Sequence, residues 1–164
     1  MSKFGIFCFS FICIFKAHAL SKTWDFHYSN SYCDMSLSDS YYTEEQNLFG
    51  YVISFKFLGK NHVNANELLT KTPMLHVLPS LLTKAGTHLN AEQLSLNGFS
   101  LNSALSSDAY TGEKVLGILD DLLSGKPVVG VAEFSDGTTT QWTFNTKDIQ
   151  VNGALFKVCM DKST

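Results

Sequence analysis

The sequence predicts an α+β fold, in which an antiparallel β-sheet carries two or three helices packed on one face and is closed by one disulfide. Three observations predict this class. Several short stretches alternate apolar and polar residues, one later segment has helical spacing, and only two cysteines follow an apolar leader. The chain has no internal repeat and no Pro/Gly-rich linker, so we expect residues 20–164 to form a single domain.

Residues 1–19 have the layout of a secretory signal peptide. Lys3 gives a positive start, Phe4 to Phe15 form an apolar run, and Ala17-His18-Ala19 supplies small residues around a cleavage site. The run has twelve residues, whereas a membrane-spanning helix needs about 20. We therefore expect cleavage after Ala19, a periplasmic or secreted protein, and no stable membrane anchor after processing. A short uncleaved anchor is the alternative.

The charge of the exported segment argues against two classes of function. After the leader the chain contains ten lysines, no arginine and fifteen acidic residues, which gives a net charge of −5. Affinity for nucleic acid depends on clustered cations that displace counterions, so nucleic acid is not an expected partner. Without arginine the chain lacks the side chain best suited to bidentate phosphate recognition, so phosphoryl transfer is not expected either.

Two cysteines, Cys33 and Cys159, remain after the leader and lie near the two ends of the exported segment. In an oxidising compartment two such cysteines are expected to pair. For a loop of roughly 100 residues, the chain-entropy account gives about 4.7 kcal/mol of stabilisation. The alternative is a reactive thiol beside a histidine, which requires a reduced cysteine where thiols oxidise.

Period-two alternation predicts the first strands. Thr23 to Tyr28 and Tyr32 to Ser38 form two short extended segments. The clearest strand runs from Phe49 to Phe57, where five large apolar residues alternate with smaller or polar ones. One face of that strand is therefore expected in the core.

The middle of the chain is less regular. Asn66 to Thr70 and Leu75 to Ala85 have mixed apolar spacing, and we predict short helical turns around Leu78 to Ala85. Leu94 to Leu101 then places alternating apolar residues on both sides of Asn97-Gly98, a pair that accepts the positive φ values of a type I′ turn. That pattern predicts a tight hairpin.

The last third predicts a helix, a hairpin and a further helix. Thr111 is the predicted cap of a helix whose apolar residues recur at helical spacing until Gly125 ends it. Val128 to Phe134 and Thr139 to Phe144 form the predicted hairpin. The segment that follows, from Ile149 to Cys159, is predicted to be a helix, with a final strand as the alternative.

No pattern in the chain points to catalysis or to a cofactor. The four histidines after the leader, which include His27 and His76, do not stand at metal-ligand spacing, and no Gly-x-Ser-x-Gly sequence is present. Glu44-Glu45 and Asp120-Asp121 are adjacent acidic pairs whose side chains point in different directions. We therefore predict a protein that is not an enzyme and that has no cofactor and no metal.

Four residues form the candidate binding surface. Tyr41 and Tyr42 precede Glu44 and Glu45 in a predicted loop. Exposed tyrosines are favoured at protein interfaces because they bury much area at low entropic cost. These four residues are the predicted protein-binding site, and partial packing of the tyrosines over the sheet edge is the alternative.

One arrangement of residues resembles that of a known group of proteins. It consists of Trp24, then Cys33 in Ser31-Tyr32-Cys33-Asp34-Met35, and finally Cys159 behind a short apolar segment. The group comprises the small periplasmic proteins of the invasion-associated locus B and VasI-like type VI accessory kind. The resemblance covers about a third of the chain after the leader. It implies a bacterial periplasmic accessory protein without catalytic activity, and it implies the Cys33–Cys159 pair.

These observations predict an exported bacterial protein that binds a protein partner in the envelope. A virulence or secretion accessory factor is the expected role. The first alternative is an inhibitor or immunity protein against an envelope-acting toxin or hydrolase. The second is a small envelope hydrolase that uses scattered Asp, Glu or His residues.

Overall fold

The computed structural model describes residues 23–60, 62, 72–101 and 110–163. The predicted signal peptide at 1–19 and the segment from Asn66 to Thr70 lie outside the described residues. The described part contains one antiparallel sheet and two helices. The strands are β1 (Asp25–Ser29), β2 (Tyr32–Tyr42), β3 (Leu48–Leu58), β4 (Met74–Leu82), β5 (His88–Leu96), β6 (Phe99–Leu101), β7 (Val129–Phe134) and β8 (Thr139–Thr143), and the helices are α1 (Glu113–Leu123) and α2 (Ile149–Ser163).

The sheet order is β1-β2-β3-β4-β5-β7-β8, and β6 pairs with β5 beside this path. The first strands form a meander in which β2 and β3 pair along their whole length. β5 joins two parts of the sheet: His88 to Asn90 pair with β4, and Ala91 to Leu96 pair with β7. The register shifts between Ala91 and Gln93. Such a bulge bends a strand and increases its twist, and the sheet is curled into a half-barrel.

One face of the sheet, here called the inner face, is buried. Met35, Phe55 and Leu75 lie side by side on three neighbouring strands and are all fully buried. The next row, on the opposite or outer face, contains Ser54 and His76, which are only partly buried. Because successive side chains of a strand point to opposite faces, this difference is the period-two pattern of the sequence seen in three dimensions.

Both predicted hairpins and the central strand are confirmed. β3 spans the predicted strand from Phe49 to Phe57. In the β5–β6 hairpin, Asn97 and Gly98 have φ values of 48° and 74°, as a type I′ turn requires. β7 and β8 form the second hairpin.

The helical turns predicted around Leu78 to Ala85 are wrong, because this segment contains most of β4. Leu78 and Leu82 lie on the outer face, and their combination with the buried Leu81 produces the helical spacing. Pro79 is tolerated in the strand for a geometric reason. Leu75 exchanges backbone hydrogen bonds with residue 110 on the side away from β3, and so the nitrogen of Pro79, four residues later, also points away from β3 and removes no bond of that ladder.

Both described helices are where the sequence predicts them, but the predicted cap of α1 is wrong. The N-cap residue is Gly112, without a side-chain cap hydrogen bond, and not Thr111. The predicted end at Gly125 is confirmed: its φ is 74°, and its N–H donates to the carbonyl of Leu122. α2 replaces the alternative of a final strand. It contacts β1, β2 and α1, and the prediction that the helices share one face of the sheet stays a prediction.

Gly130 provides a test of core packing between β7 and β8. It pairs with Trp142, and a Cβ atom at position 130 would overlap the indole ring. We expect Gly130→Ala to lower the free energy of unfolding by about 1–3 kcal/mol, because a packed core resists added volume. Urea denaturation followed by tryptophan fluorescence measures the loss.

Gly117→Ala is the matched control, because Gly117 is an exposed residue of α1 with open space where the Cβ would be. Alanine is the better helix former, so this variant should be as stable as the wild type or more stable. Equal stabilities of the Gly130→Ala variant and the wild type would contradict the packing described for Trp142.

Candidate functional site

The predicted binding residues lie at the β2–β3 hairpin. Tyr41 and Tyr42 are the last residues of β2, and so the predicted loop at these two positions is wrong. The strand continues because Tyr41 and Tyr42 pair with β3 as the residues before them do. Glu44 and Glu45 occupy the turn and are exposed.

Tyr41 and Tyr42 point to opposite faces of the sheet, as neighbours in a strand must. The Tyr41 ring lies on the inner side against Phe49, with 5.4 Å between ring centroids. Burial, and to a smaller extent the nearby Asp39 carboxylate, raises the pKa of the Tyr41 hydroxyl. Tyr42 is 73% exposed. The two tyrosines therefore do not form one surface, and protein binding by either of them stays a prediction.

The turn that holds Glu44 and Glu45 is built like the turn between β4 and β5. In the first, the N–H of Asn47 donates to the Thr43 hydroxyl, and in the second the N–H of Thr87 donates to the Thr83 hydroxyl. The Asn47 side chain also accepts the N–H of Lys84 at 2.9 Å, which ties the two turns together. Glu44 and Glu45 are thus held on a fixed backbone at one end of the sheet.

The outer face beside this turn carries five apolar side chains, which we call the outer apolar patch: Tyr42, Leu48, Val52, Leu78 and Leu82. Val52 pairs with Leu78, and Leu48 pairs with both Tyr42 and Leu82. Leu78 is 54% exposed, Val52 41% and Leu82 38%. A row that includes Gly50 and Ser80 separates the two apolar rows. The residues at the centre of the patch therefore have small side chains.

Sequence reasoning missed the outer apolar patch, although a signal was present. In β3 and β4, Val52, Leu78 and Leu82 stand at positions of the opposite parity to the buried residues. In an antiparallel sheet with one wet face, those positions are normally polar. Reading β4 as a strand would have shown the exception.

A polar cluster occupies the other part of the outer face. Asp34 pairs with His27 on one side and with Lys56 on the other, and His76 lies one row away. Burial raises the pKa of Asp34, although Lys56, His27 and His76 act in the opposite direction. Burial, followed by the positive charge of Lys56, lowers the pKa of His76. Lys56 also lies over the Tyr32 ring, at 4.9 Å from its centroid.

Burial thus shifts the pKa values of two members of this cluster in opposite directions, upward for the Asp34 carboxyl group and downward for the His76 imidazole. In the part of the chain that the structure describes, no three His, Cys, Asp or Glu residues are grouped so that they could hold a metal ion. The cluster is a partly desolvated set of charges on the sheet surface.

The predicted disulfide is confirmed. Cys33 of β2 and Cys159 of α2 are bonded, with 6.2 Å between their Cα atoms and a sequence separation of 126. Two hydrogen bonds join the same ends of the chain: Trp24 Nε1 donates to the carbonyl of Asn145 at 2.7 Å, and the Asn152 side chain donates to the carbonyl of Trp24. The start of the fold is thereby fastened to α2 and to the segment before it.

Comparison with known proteins leaves the family open. No protein-family model matches the chain, and no curated protein or solved structure matches it. The resemblance to the invasion-associated locus B and VasI-like proteins therefore stays a prediction. Neither of the two described helices is long and apolar enough to cross a membrane.

Removal of the disulfide should cost much of the stability of the fold. We expect the Cys33→Ser/Cys159→Ser variant to lose about 2–5 kcal/mol of unfolding free energy, because the unfolded chain is no longer closed into a loop. Urea denaturation measures the loss, and wild-type protein treated with a reducing agent should unfold at the same midpoint as the variant. An unchanged midpoint in both samples would contradict the prediction.

The lowered pKa of His76 predicts a pH dependence of stability. The ordinary pKa of a histidine is 6.5, and the pKa of His76 in the folded state is lower, so folding opposes the protonation of this side chain. Its contribution to stability is therefore fully present above the ordinary value and is lost as the pH falls below it and through the lowered pKa of the folded state. Between about pH 7.5 and about pH 5.5, the urea midpoint of His76→Gln should fall less than that of the wild type.

A control for this measurement is Ser54→Ala, which changes the residue paired with His76 but removes no titrating group. Its midpoint should follow the wild-type pH dependence. If His76→Gln also followed the wild type, His76 would not be the group responsible.

Proposed function

We propose that the chain is an exported, periplasmic or secreted protein without catalytic activity, and that it binds a protein partner in the bacterial envelope through the outer apolar patch. The observation that carries the proposal is the exposure of Leu78, Val52 and Leu82 together on the outer face of the sheet. The surface chemistry of the patch supports binding and supplies no reactive group.

Burial of this patch is the source of the binding energy in this proposal. Apolar surface gains about 25 cal/mol per Å² when it is removed from water. Exposed apolar patches on soluble proteins often mark interaction sites. In the patch, the ladder between β3 and β4 holds the backbone of the paired residues at fixed positions, so little backbone order has to be gained on binding.

The rim of the patch indicates the chemistry of the partner. Glu44 and Glu45 are exposed at the end of the patch where Tyr42 and Leu48 pair, and the segment after the leader has a net charge of −5. Complementary charge at a rim steers association and selects partners. The proposed partner therefore has an apolar centre with lysine or arginine beside it. An accessory role in virulence or secretion agrees with the resemblance of the sequence, and an inhibitor or immunity protein would use the same kind of surface.

Site-specific crosslinking in the organism that produces the protein tests this function. A photoreactive amino acid at position 78 should give one discrete crosslinked product, and the product should disappear when Val52→Glu is added, because a charge in the centre of the interface opposes burial. Electrophoresis and mass spectrometry identify the product.

Position 151 supplies the matched control, because Val151 is apolar and 67% exposed but lies on α2, away from the patch. The photoreactive residue at 151 should not give the product that position 78 gives. The same product from both positions, or none from position 78, would reject the outer apolar patch as the binding surface.

A further inference from the structure

A second apolar surface lies between β1 and α2, away from the outer apolar patch. It is a groove of about 380 Å³. Its walls include Phe26 and Tyr28 from β1 and Leu155, Val158 and Lys162 from α2. Because β1 is the first strand in the sheet order, the groove runs along an edge of the sheet.

The helical wall of the groove is an apolar stripe that faces water. Leu155 is 49% exposed and Val158 is 50% exposed. α2 buries a different set of residues, Ile149, Gly153 and Phe156. A helix on the surface of a globular protein normally turns its apolar stripe toward the core and keeps the opposite side polar, so the second stripe of α2 is available to another molecule.

The strand wall offers backbone hydrogen-bonding groups at the same place. The β1–β2 turn closes between Ser29 and Tyr32, and paired residues of antiparallel strands alternate between bonded and non-bonded pairs. The N–H of Gly59 donates to the carbonyl of Ser31. The backbone groups of Ser31 therefore face β3, and the backbone groups of the next residue, Tyr32, face β1. It follows that the N–H and C=O groups of Phe26 and Tyr28 point away from β2.

These groups point to the outer edge of β1, and among the described strands only β2 pairs with β1. Phe26 and Tyr28 therefore line the groove and also present their backbone groups to an added strand. An edge strand with a neighbouring apolar groove binds extended peptides: main-chain hydrogen bonds give affinity, and alternate side chains enter the groove.

The charge of the groove selects among extended peptides. Lys162, near the end of α2, is the charged residue among those that line the groove. An acidic side chain or a terminal carboxylate at that end of a bound segment would complement it.

We propose that the groove between β1 and α2 binds an extended peptide segment of a partner protein, that the segment adds to the edge of β1 as a strand, and that it carries alternating apolar residues and a carboxylate near Lys162. The site is independent of the outer apolar patch and does not rest on the function proposed for that patch.

Selection from a phage-displayed library of random twelve-residue peptides tests the proposal on the oxidised, exported protein. The enriched peptides should share alternating apolar residues and an acidic residue at one end. Their affinity, measured by fluorescence anisotropy with a labelled synthetic peptide, should fall at least about tenfold in Val158→Glu, because a charge in the groove opposes burial of apolar side chains. Circular dichroism and a count of free thiols check that this variant is folded.

Two further variants separate the sites. Selection against Lys162→Glu should enrich basic residues in place of acidic ones, a change that a purely structural role of Lys162 does not produce. Leu78→Glu, which alters the outer apolar patch, should bind the selected peptide as the wild type does. Equal loss in Leu78→Glu and Val158→Glu would overturn the groove as a separate site.

Backbone N-methylation of the selected peptide tests strand addition. Methyl groups on alternate nitrogens that face β1 should weaken binding at least about tenfold, whereas methylation of the intervening nitrogens should not, because only one set of N–H groups faces the edge. Equal effects of the two sets would overturn the proposed mode. No enrichment above that of Val158→Glu, or a concentration-dependent dimer by sedimentation that Val158→Glu abolishes, would overturn the proposed occupant.

Discussion

Burial of the inner face of β3 is the constraint on which the rest of the structure depends. β3 lies between β2 and β4 in the sheet, and five of its large side chains are buried on the inner face: Phe49, Tyr51, Ile53, Phe55 and Phe57. Rings from the far end of the sheet complete the same core, since Trp142 of β8 lies 5.0 Å from Phe49 and 5.7 Å from Tyr51 between ring centroids. The sheet must curl for these rings to meet, and the curl gives the molecule a protected inner face and an accessible outer one.

The parts of the fold that the sequence predicts are those in which local pattern and tertiary position agree. β3 alternates over its whole length, Asn97-Gly98 has the chemistry of its turn, and the two cysteines that follow the predicted leader leave one pairing. β4 was mispredicted because Leu78 is apolar and exposed, so the alternation that identifies a half-buried strand is lost. The predicted cap of α1 is wrong because Gly112, and not the neighbouring Thr111, occupies the N-cap position.

The candidate site could be predicted only in part, for a physical reason. A pair of neighbouring tyrosines before two glutamates suggests one surface, but in an extended strand Tyr41 and Tyr42 must point apart. The alternation in β3 and β4 marks Val52, Leu78 and Leu82 as outward-facing, but residues 42, 78 and 82 come together only because β2 and β4 both pair with β3, which is a long-range property. The groove depends in the same way on Cys159, whose bond to Cys33 holds α2 beside the first two strands.

The short contact between β4 and β5 gives the half-barrel an internal seam. Only three residue pairs join these strands, from Ser80–Asn90 to Leu82–His88, while eleven join β2 and β3. Ring contacts such as Phe49–Phe134 connect the two parts within the core on the inner face. The two parts of the half-barrel are therefore joined by a narrow backbone strip and by packed aromatic rings, and a change in the curvature of the sheet would break the fewest ladder hydrogen bonds along that line.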